Sequence, residues 1–554
     1  MTYQWKPYAD LVVRKAVIYT MDKTVKDIQK KDYDFTVFDN GYAAVKDGII
    51  IAAGEGCDES LIGPDTTVVD ADGQTLMPGM IDSHMHAMFA AMDLKSVALE
   101  HCRSREEMLK LLQERDSSEK AGRWIKGAGF YELAWEGENR KPNRFDLDSV
   151  SKDRPIFIKR LCCHVIVANS KALELAGITR DTPDPDGAII GRLENGEPDG
   201  ILYENAAMDL IESVVPPLTK DELVEVIEEI GKYINSVGLT TVIDCNMTFD
   251  CMRAYLQAYR QGRLTYRDYM MFYLDKAVGD IPYHLNRIYE MPCVTGFGND
   301  MVALNGIKIT LDGVPTSGTA YMRKNYRHMP ETRGYTTITP KEMKQVCQYA
   351  EKYDWQVGVH TIGDAAMDVA LDAFEAEGAE ASARNRNYLI HACHPQPDMI
   401  PKLQEMNTPV TIQPTIMGQM GDESVLFDEY LELNQPAGLY FNNSIICGGS
   451  SDYPVVDCNP FIGMSYAMTR MHLDGKVHGP QHKISARQAL LMWTVNSAYI
   501  TGKEDRLGSI EPGKLADMIL VDTPTLEATP EEVMRTKVLR TWLGGKLVYE
   551  KSRG

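Results

Sequence analysis

The chain predicts a (β/α)8 TIM barrel, a small β-sandwich domain built from both termini, and an α/β insert after the first barrel strand. Three observations predict it. Eight short apolar runs alternate with helical stretches through the middle of the sequence. The two ends carry similar strand-and-turn patterns, each too short for a sheet of its own. Histidines, one lysine and one aspartate recur where the apolar runs end.

Length and composition set the frame. The 554 residues are 44% hydrophobic and 25% charged, values of a soluble globular protein with room for two or three domains. A formal net charge of -21 argues against a nucleic-acid or anionic-membrane partner, either of which favours a basic surface. No apolar run is long enough for a membrane span, and Met1 to Asp10 lacks a basic-then-apolar signal pattern. The expected compartment is therefore cytoplasmic. The 11 cysteines are odd in number and irregularly spaced, and Cys162-Cys163 are adjacent rather than a CxxC pair. They read as small buried hydrophobes.

Leu11 to Thr20, Gly41 to Gly54 and Thr66 to Asp72 read as strands with Gly/Asp turns. Leu507 to Asp522 and Val538 to Glu550 read the same way, with Leu543-Gly544-Gly545-Lys546 as a hairpin turn. Together they predict one composite β-domain, 1–74 with 496–554. Lys23 to Asn40 is polar and reads as a surface excursion from it.

The barrel is expected over 75–94 and 238–495. Its predicted strands are Thr75–His86, Leu239–Cys245, Arg267–Leu274, Gly306–Asp312, Gln356–His360, Tyr388–His391, Pro409–Gln413 and Ser444–Gly449. Helical stretches such as Lys220–Val237, Pro340–Tyr353 and Asp364–Glu377 lie between them. Residues 95–237 are too many for a loop. Strand patterns at Trp124–Gly129 and Pro155–Leu161, and helical ones at Arg105–Arg115 and Ser170–Leu175, make them an α/β subdomain. Emerging from the first βα loop, it is expected over the barrel's C-terminal mouth.

Barrel sites collect at the C-terminal ends of strands. The first run ends Asp82-Ser83-His84-Met85-His86, and strand alternation puts both imidazoles on one face. Two such imidazoles suit a divalent metal, with Asp82 placed to orient them. Lys308 lies in the fourth run, His360 and His391 end the fifth and sixth, and Asp452 follows the eighth. Each alone has an ordinary structural reading. A buried histidine is more often a core residue than a ligand, and Asp452 before Tyr-Pro is common turn chemistry. Six such residues at strand ends together point to a metal centre.

These motifs resemble those of the amidohydrolase superfamily, in the branch containing N-substituted formamide deformylase (amidohydrolase family 3). The resemblance rests on Pro78-Gly79-Met80-Ile81-Asp82-Ser83-His84-Met85-His86, on Gly306-x-Lys308 with Asp312-Gly313 and Ser317 to Ala320, and on His360 to Asp364. It rests also on His391, Ser451 to Pro454, His164 to Leu173, Gly187 to Glu204 and the C-terminal Leu507 to Asp522. It implies that His84 and His86 bind one metal, that His360 and His391 bind a second, and that Asp452 binds the first and acts as general base. It implies two zinc ions bridged by Lys308 after carboxylation with CO2, with manganese or iron tolerating the same donors. Cysteine takes the bridging place in some relatives, so Cys245 is the alternative bridge. His391 is counted among the catalytic residues with Asp452.

The expected activity is hydrolysis of an amide C–N bond, in an N-acyl or N-formyl amine or a cyclic amide, with water activated at the metals and Asp452 as base. Expected substrate contacts are His164, Tyr131, Trp135 and Asp312, with structural histidine, aromatic packing and loop-fixing as their alternatives. Arg192 shares the last pair of readings. The histidines at 101, 284, 328, 394, 472, 478 and 482 fit no strand end. Two other functional classes stay open: a one-metal deaminase of a heterocycle, against which Lys308 counts, and a non-catalytic binding member of the fold. The expected partner is a small molecule, and a homodimer is the default assembly.

Overall fold

The computed structural model describes residues 8–119, 122–132, 135–136, 140–160, 165–185, 188–203, 205–276, 278–420 and 426–552. The chain divides into two compact units, Phe89–Val226 and the remainder.

The larger unit holds the barrel. Its strands are Met80–Met85, Leu239–Met247, Arg267–Tyr273, Val302–Thr310, Val357–Thr361, Tyr388–His391, Val410–Ile412 and Cys447–Gly449. They pair in sequence order, all parallel. Ile81, Ile243, Tyr269, Met271, Tyr388 and Ile390 fill the interior as one apolar cluster. The first and last strands are drawn together at their ends. Ser83 Oγ donates to the Gly449 carbonyl at 2.8 Å, Asp452 N to the His84 carbonyl at 2.9 Å, and His86 N to the Tyr453 carbonyl at 2.8 Å.

The sequence reads Thr75–His86 as one strand, and the structure breaks it at Gly79. Thr75–Pro78 pairs with Leu11–Tyr19 and Met518–Val521 in the terminal sheet, whereas Met80–Met85 enters the barrel. A Cβ on residue 79 would lie 2.2 Å from Thr240 Oγ1. Glycine is what lets the chain pass from one sheet to the other. An apolar run carries no mark of such a transfer, because both halves are buried.

The termini build one eight-stranded mixed sheet around its own apolar cluster, branched at Leu11–Tyr19, which pairs with three strands. The turn after Val37–Lys46 meets the turn after Val538–Leu543: a Cβ on Gly48 would sit 3.2 Å from the Gly544 carbonyl oxygen. Gly544 and Gly545, at φ 53° and 72°, form the two-residue hairpin turn that the sequence predicts. Arg267, at the start of the third barrel strand, joins this sheet to the barrel through a two-pronged bond to Asp517, at 2.6 and 2.7 Å.

The smaller unit is an α/β body around a six-stranded mixed sheet, with strands Val97–Ala98, Ile125–Phe130, Ile156–Arg160, Val165–Ala168, Ile189–Arg192 and Pro198–Tyr203. Helix Arg105–Ser118 starts at Ser104, whose side chain accepts the Glu107 N–H. Two apolar clusters hold the unit. Among the described residues no helix is long and apolar enough to cross a membrane.

Candidate metal centre

Strand alternation delivers His84 and His86 to one point. The Nε2 atoms of both lie 3.1 Å from Asp452 Oδ1. His84 is fully buried, and its Nε2 has no hydrogen-bond partner among the described residues. The His84 and His391 rings stand 5.0 Å apart, and His360 and His391 4.3 Å. Ligand atoms of His84, His391 and Asp452 lie within 4.8 Å of one another, a candidate metal site.

Lys308 is 1% exposed, and no hydrogen bond or ion pair engages its ammonium among the described residues. A buried cation without a partner is costly. Burial drives its pKa down, opposed by Cys245, Asp452 and Asp312. Burial works to raise the Asp452 carboxyl, but His84, His86 and His391 outweigh it and hold that group well below the carboxylate range. Burial depresses His84 and His360 strongly and takes His391 down to about 4. The cluster therefore favours neutral imidazoles at His84, His360 and His391 and an ionised Asp452, and it eases proton loss from Lys308. Metal ligation requires the imidazoles and the carboxylate in these forms.

The backbone holds these groups in unusual conformations. Asn246, His391, Ala392 and Asp452 have φ of 63°, 72°, 40° and 61°, all at or just past barrel strand ends. Each such residue costs about 1–3 kcal/mol and persists where its surroundings over-determine it. Asp82 supplies one restraint. Its carboxylate accepts the Ser451 hydroxyl at 2.5 Å, the Ser451 N–H at 3.1 Å and the His84 N–H at 3.1 Å. It orients the backbone beside Asp452 rather than an imidazole.

Cys245 lies behind His84, its Sγ 3.0 Å from Nδ1, across the ring from the nitrogen that faces Asp452. Asp312 is fully buried. It accepts the Ile362, Gly363 and Tyr321 N–H groups at 2.8–3.0 Å, and its Oδ1 is 3.6 Å from His360 Nε2. Loop-fixing, the alternative to substrate contact, fits this placement. Arg192 donates to the carbonyls of Thr182, Arg180 and Gly196, again a loop-fixing pattern.

Trp135 corrects an expectation. It is 5% exposed in the core of the smaller unit, 6.4 Å from the Phe130 ring, so it packs rather than lining an open surface. Tyr131 is 36% exposed under the Arg160 guanidinium, at 4.8 Å. His164 lies outside the described residues. His394, three residues past His391, is buried with Nδ1 3.1 Å from the Tyr430 carbonyl oxygen.

The residue that sequence reasoning passed over is Gln413, after the seventh strand. Its Oε1 is 2.8 Å from His391 Nδ1. Its one signal in the sequence, a place at a strand end, is shared with ordinary turn residues.

Residues 67–549 match the profile of an amidohydrolase family. Protein LONG AFTER FAR-RED 3 from Arabidopsis thaliana is 28% identical over 564 residues, which cover 98% of this chain and 92% of that protein. N-substituted formamide deformylase from Arthrobacter pascens is 27% identical over 508 residues, covering 88% and 91%. The crystal structure of an uncharacterized metal-dependent hydrolase from Pyrococcus horikoshii has the same fold. It aligns with a TM-score of 0.78 at 24% identity, over 94% of this chain and 99% of that one.

Proposed function

Since this chain belongs to the amidohydrolase family, we propose that it hydrolyses a C–N bond of a small amide, in an N-acyl or N-formyl amine or a cyclic amide, at a divalent-metal centre. The observation that supports this best is the convergence of His84 and His86 on Asp452 at 3.1 Å, beside His391 and a buried Lys308 that no described residue engages. The deformylase relative supports the amide class. His84, His86 and Asp452 would hold one metal, and His360 and His391 a second. Zinc suits this set of nitrogen and oxygen donors.

Lys308 has the chemistry of the bridge. Its free amine adds CO2 and releases a proton, which leaves a carbamate with two oxygens. The seat of Cys245 behind His84 supports Lys308 over Cys245 in that part. A divalent metal, when bound, supplies Lewis acidity and lowers the pKa of water. Asp452, ionised at neutral pH, accepts the proton of the attacking water and returns it to the leaving nitrogen. His391 sits beside Asp452 in the same cluster and fixes the carboxylate's surroundings.

Metal analysis with an activity screen tests the reading. Two equivalents per chain and turnover of N-formyl, N-acyl or cyclic amides are the expected results. One equivalent with heterocycle deamination would favour the deaminase instead, and a metal-free protein without activity would sink both.

A further inference from the structure

Resting on the metal-centre reading, we infer that Gln413 is a positioning residue. Its carboxamide oxygen holds the His391 imidazole with the proton on Nδ1 and turns the Nε2 lone pair into the centre.

Gln413 is fully buried between the seventh barrel strand and helix Pro414–Gln419. Its Oε1 faces His391 Nδ1 at 2.8 Å and its Nε2 faces Ser450 Oγ at 2.8 Å. Ser450 decides which end is which. Its hydroxyl has one proton, which it donates to the Ile412 carbonyl at 3.0 Å, and a carbonyl can only accept. The Ser450 oxygen is left with two lone pairs. One takes the Gln413 amide N–H; the other takes the Thr411 hydroxyl, 2.6 Å away. A flipped amide would set its oxygen against a Ser450 whose proton is already committed. The end facing His391 is therefore the carbonyl oxygen, which can only accept, so His391 Nδ1 must donate. Its Nε2 is then a lone-pair donor.

The amide itself is fixed from behind. Gln413 N–H donates to Gln435 Oε1 at 2.8 Å, and Gln435 Nε2 donates to Cys393 Sγ at 3.0 Å. Arg470, fully buried, donates to the Gln435 carbonyl at 2.8 Å. This restraint matters because His391 has φ 72°, a conformation that its own backbone does not favour. The other buried imidazole is held differently. Behind His84 stands a thiol, a weak hydrogen-bond acceptor. Of the two, His391 is the one whose tautomer is set by a strong neutral acceptor, which orients the ring without adding a charge beside Asp452.

Two measurements on the full chain test this. Histidine-selective 15N labelling of the metal-free protein, with His391 identified by loss of its signal in His391→Asn, should show the Nδ1–H tautomer. Gln413→Ala should shift it towards Nε2–H; an Nε2–H tautomer in the parent protein would overturn the inference. Zn2+ competition against a chromophoric chelator gives the second reading. Gln413→Ala should bind Zn2+ about 10–100-fold more weakly, with kcat lowered more than KM is raised. Gln413→Glu keeps the acceptor and should restore affinity. Equal affinity in a folded Gln413→Ala protein, or no rescue in Gln413→Glu, would refute the role. A parent protein that binds no Zn2+ would remove the metal-centre reading and leave the tautomer result to decide on Gln413.

Discussion

Two clusters of buried ionisable groups, one at each end of the barrel, follow opposite rules. At the end where the strands begin, Arg267 and Asp517 are 2% and 5% exposed and satisfy each other with two short bonds. The Gly544 N–H and the Asp300 carbonyl complete their shells. At the end where the strands finish, no described residue engages the Lys308 ammonium, His84 Nε2 faces only Asp452 at 3.1 Å among the described residues, and Asp452 sits in left-handed backbone. The first arrangement uses buried charge to lock two sheets together. The second keeps donor atoms uncommitted. One barrel holds both because the Arg267–Asp517 pair serves assembly while the cluster at the strand finishes is free to store cost.

Breaking the second end at its base should have the largest effect. Asp452→Asn should lower kcat by about 10²–10⁴-fold while the melting midpoint stays within a few degrees of the parent; unchanged turnover in steady-state assays would remove Asp452 as base. Arg267→Met attacks the first end. It strands Asp517 in the interior and should cost about 3–5 kcal/mol of stability, read by denaturant titration, with Zn2+ affinity unaltered. A folded variant of parental stability would show that the pair holds nothing.

Lys308→Met should do the reverse to the metal-free protein and stabilise it by about 1–3 kcal/mol, since it removes a buried polar amine that no described residue engages. The same change should deplete bound metal. In Lys308→Ala, acetate should restore part of that metal, and full retention without acetate would shift the bridge to Cys245. A pH-dependent effect belongs to Glu377, whose Oε2 accepts the Asn387 amide at 2.8 Å near the start of the fifth strand. Burial, aided by Glu351, raises its carboxyl to about 7 from 4.5. The folded state thus holds a proton that the unfolded chain releases. Its contribution to stability is complete below about pH 4.5 and is lost as pH rises through about 7. Glu377→Gln should flatten that loss, and a melting-against-pH profile like the parent's would exclude Glu377 as its source.

What was legible in the chain follows the same division. Six of the residues meeting at the strand ends announce themselves because charged or imidazole side chains interrupt apolar runs. The barrel was legible because eight such runs alternate with helices. Gln413 was not, since a neutral amide after an apolar strand looks like any turn residue and acts only through His391. Trp135 misled for the opposite reason: an aromatic after a strand fits a core and a binding surface equally. Asp312 was visible as a strand-end acid, but its three backbone partners come from a loop and another strand end, and only folding brings them together.

Gly79 gives the molecule a fixed datum. On one side of it Thr75–Pro78 is clamped in the terminal sheet, and on the other Met80–Met85 runs straight to His84 and His86. The position of the two imidazoles is therefore indexed from a sheet at the opposite end of the barrel, through a single residue with no room for a methyl group. The terminal sheet is in that sense a gauge block for the metal centre: shortening or re-registering it would displace the histidines without touching any of them.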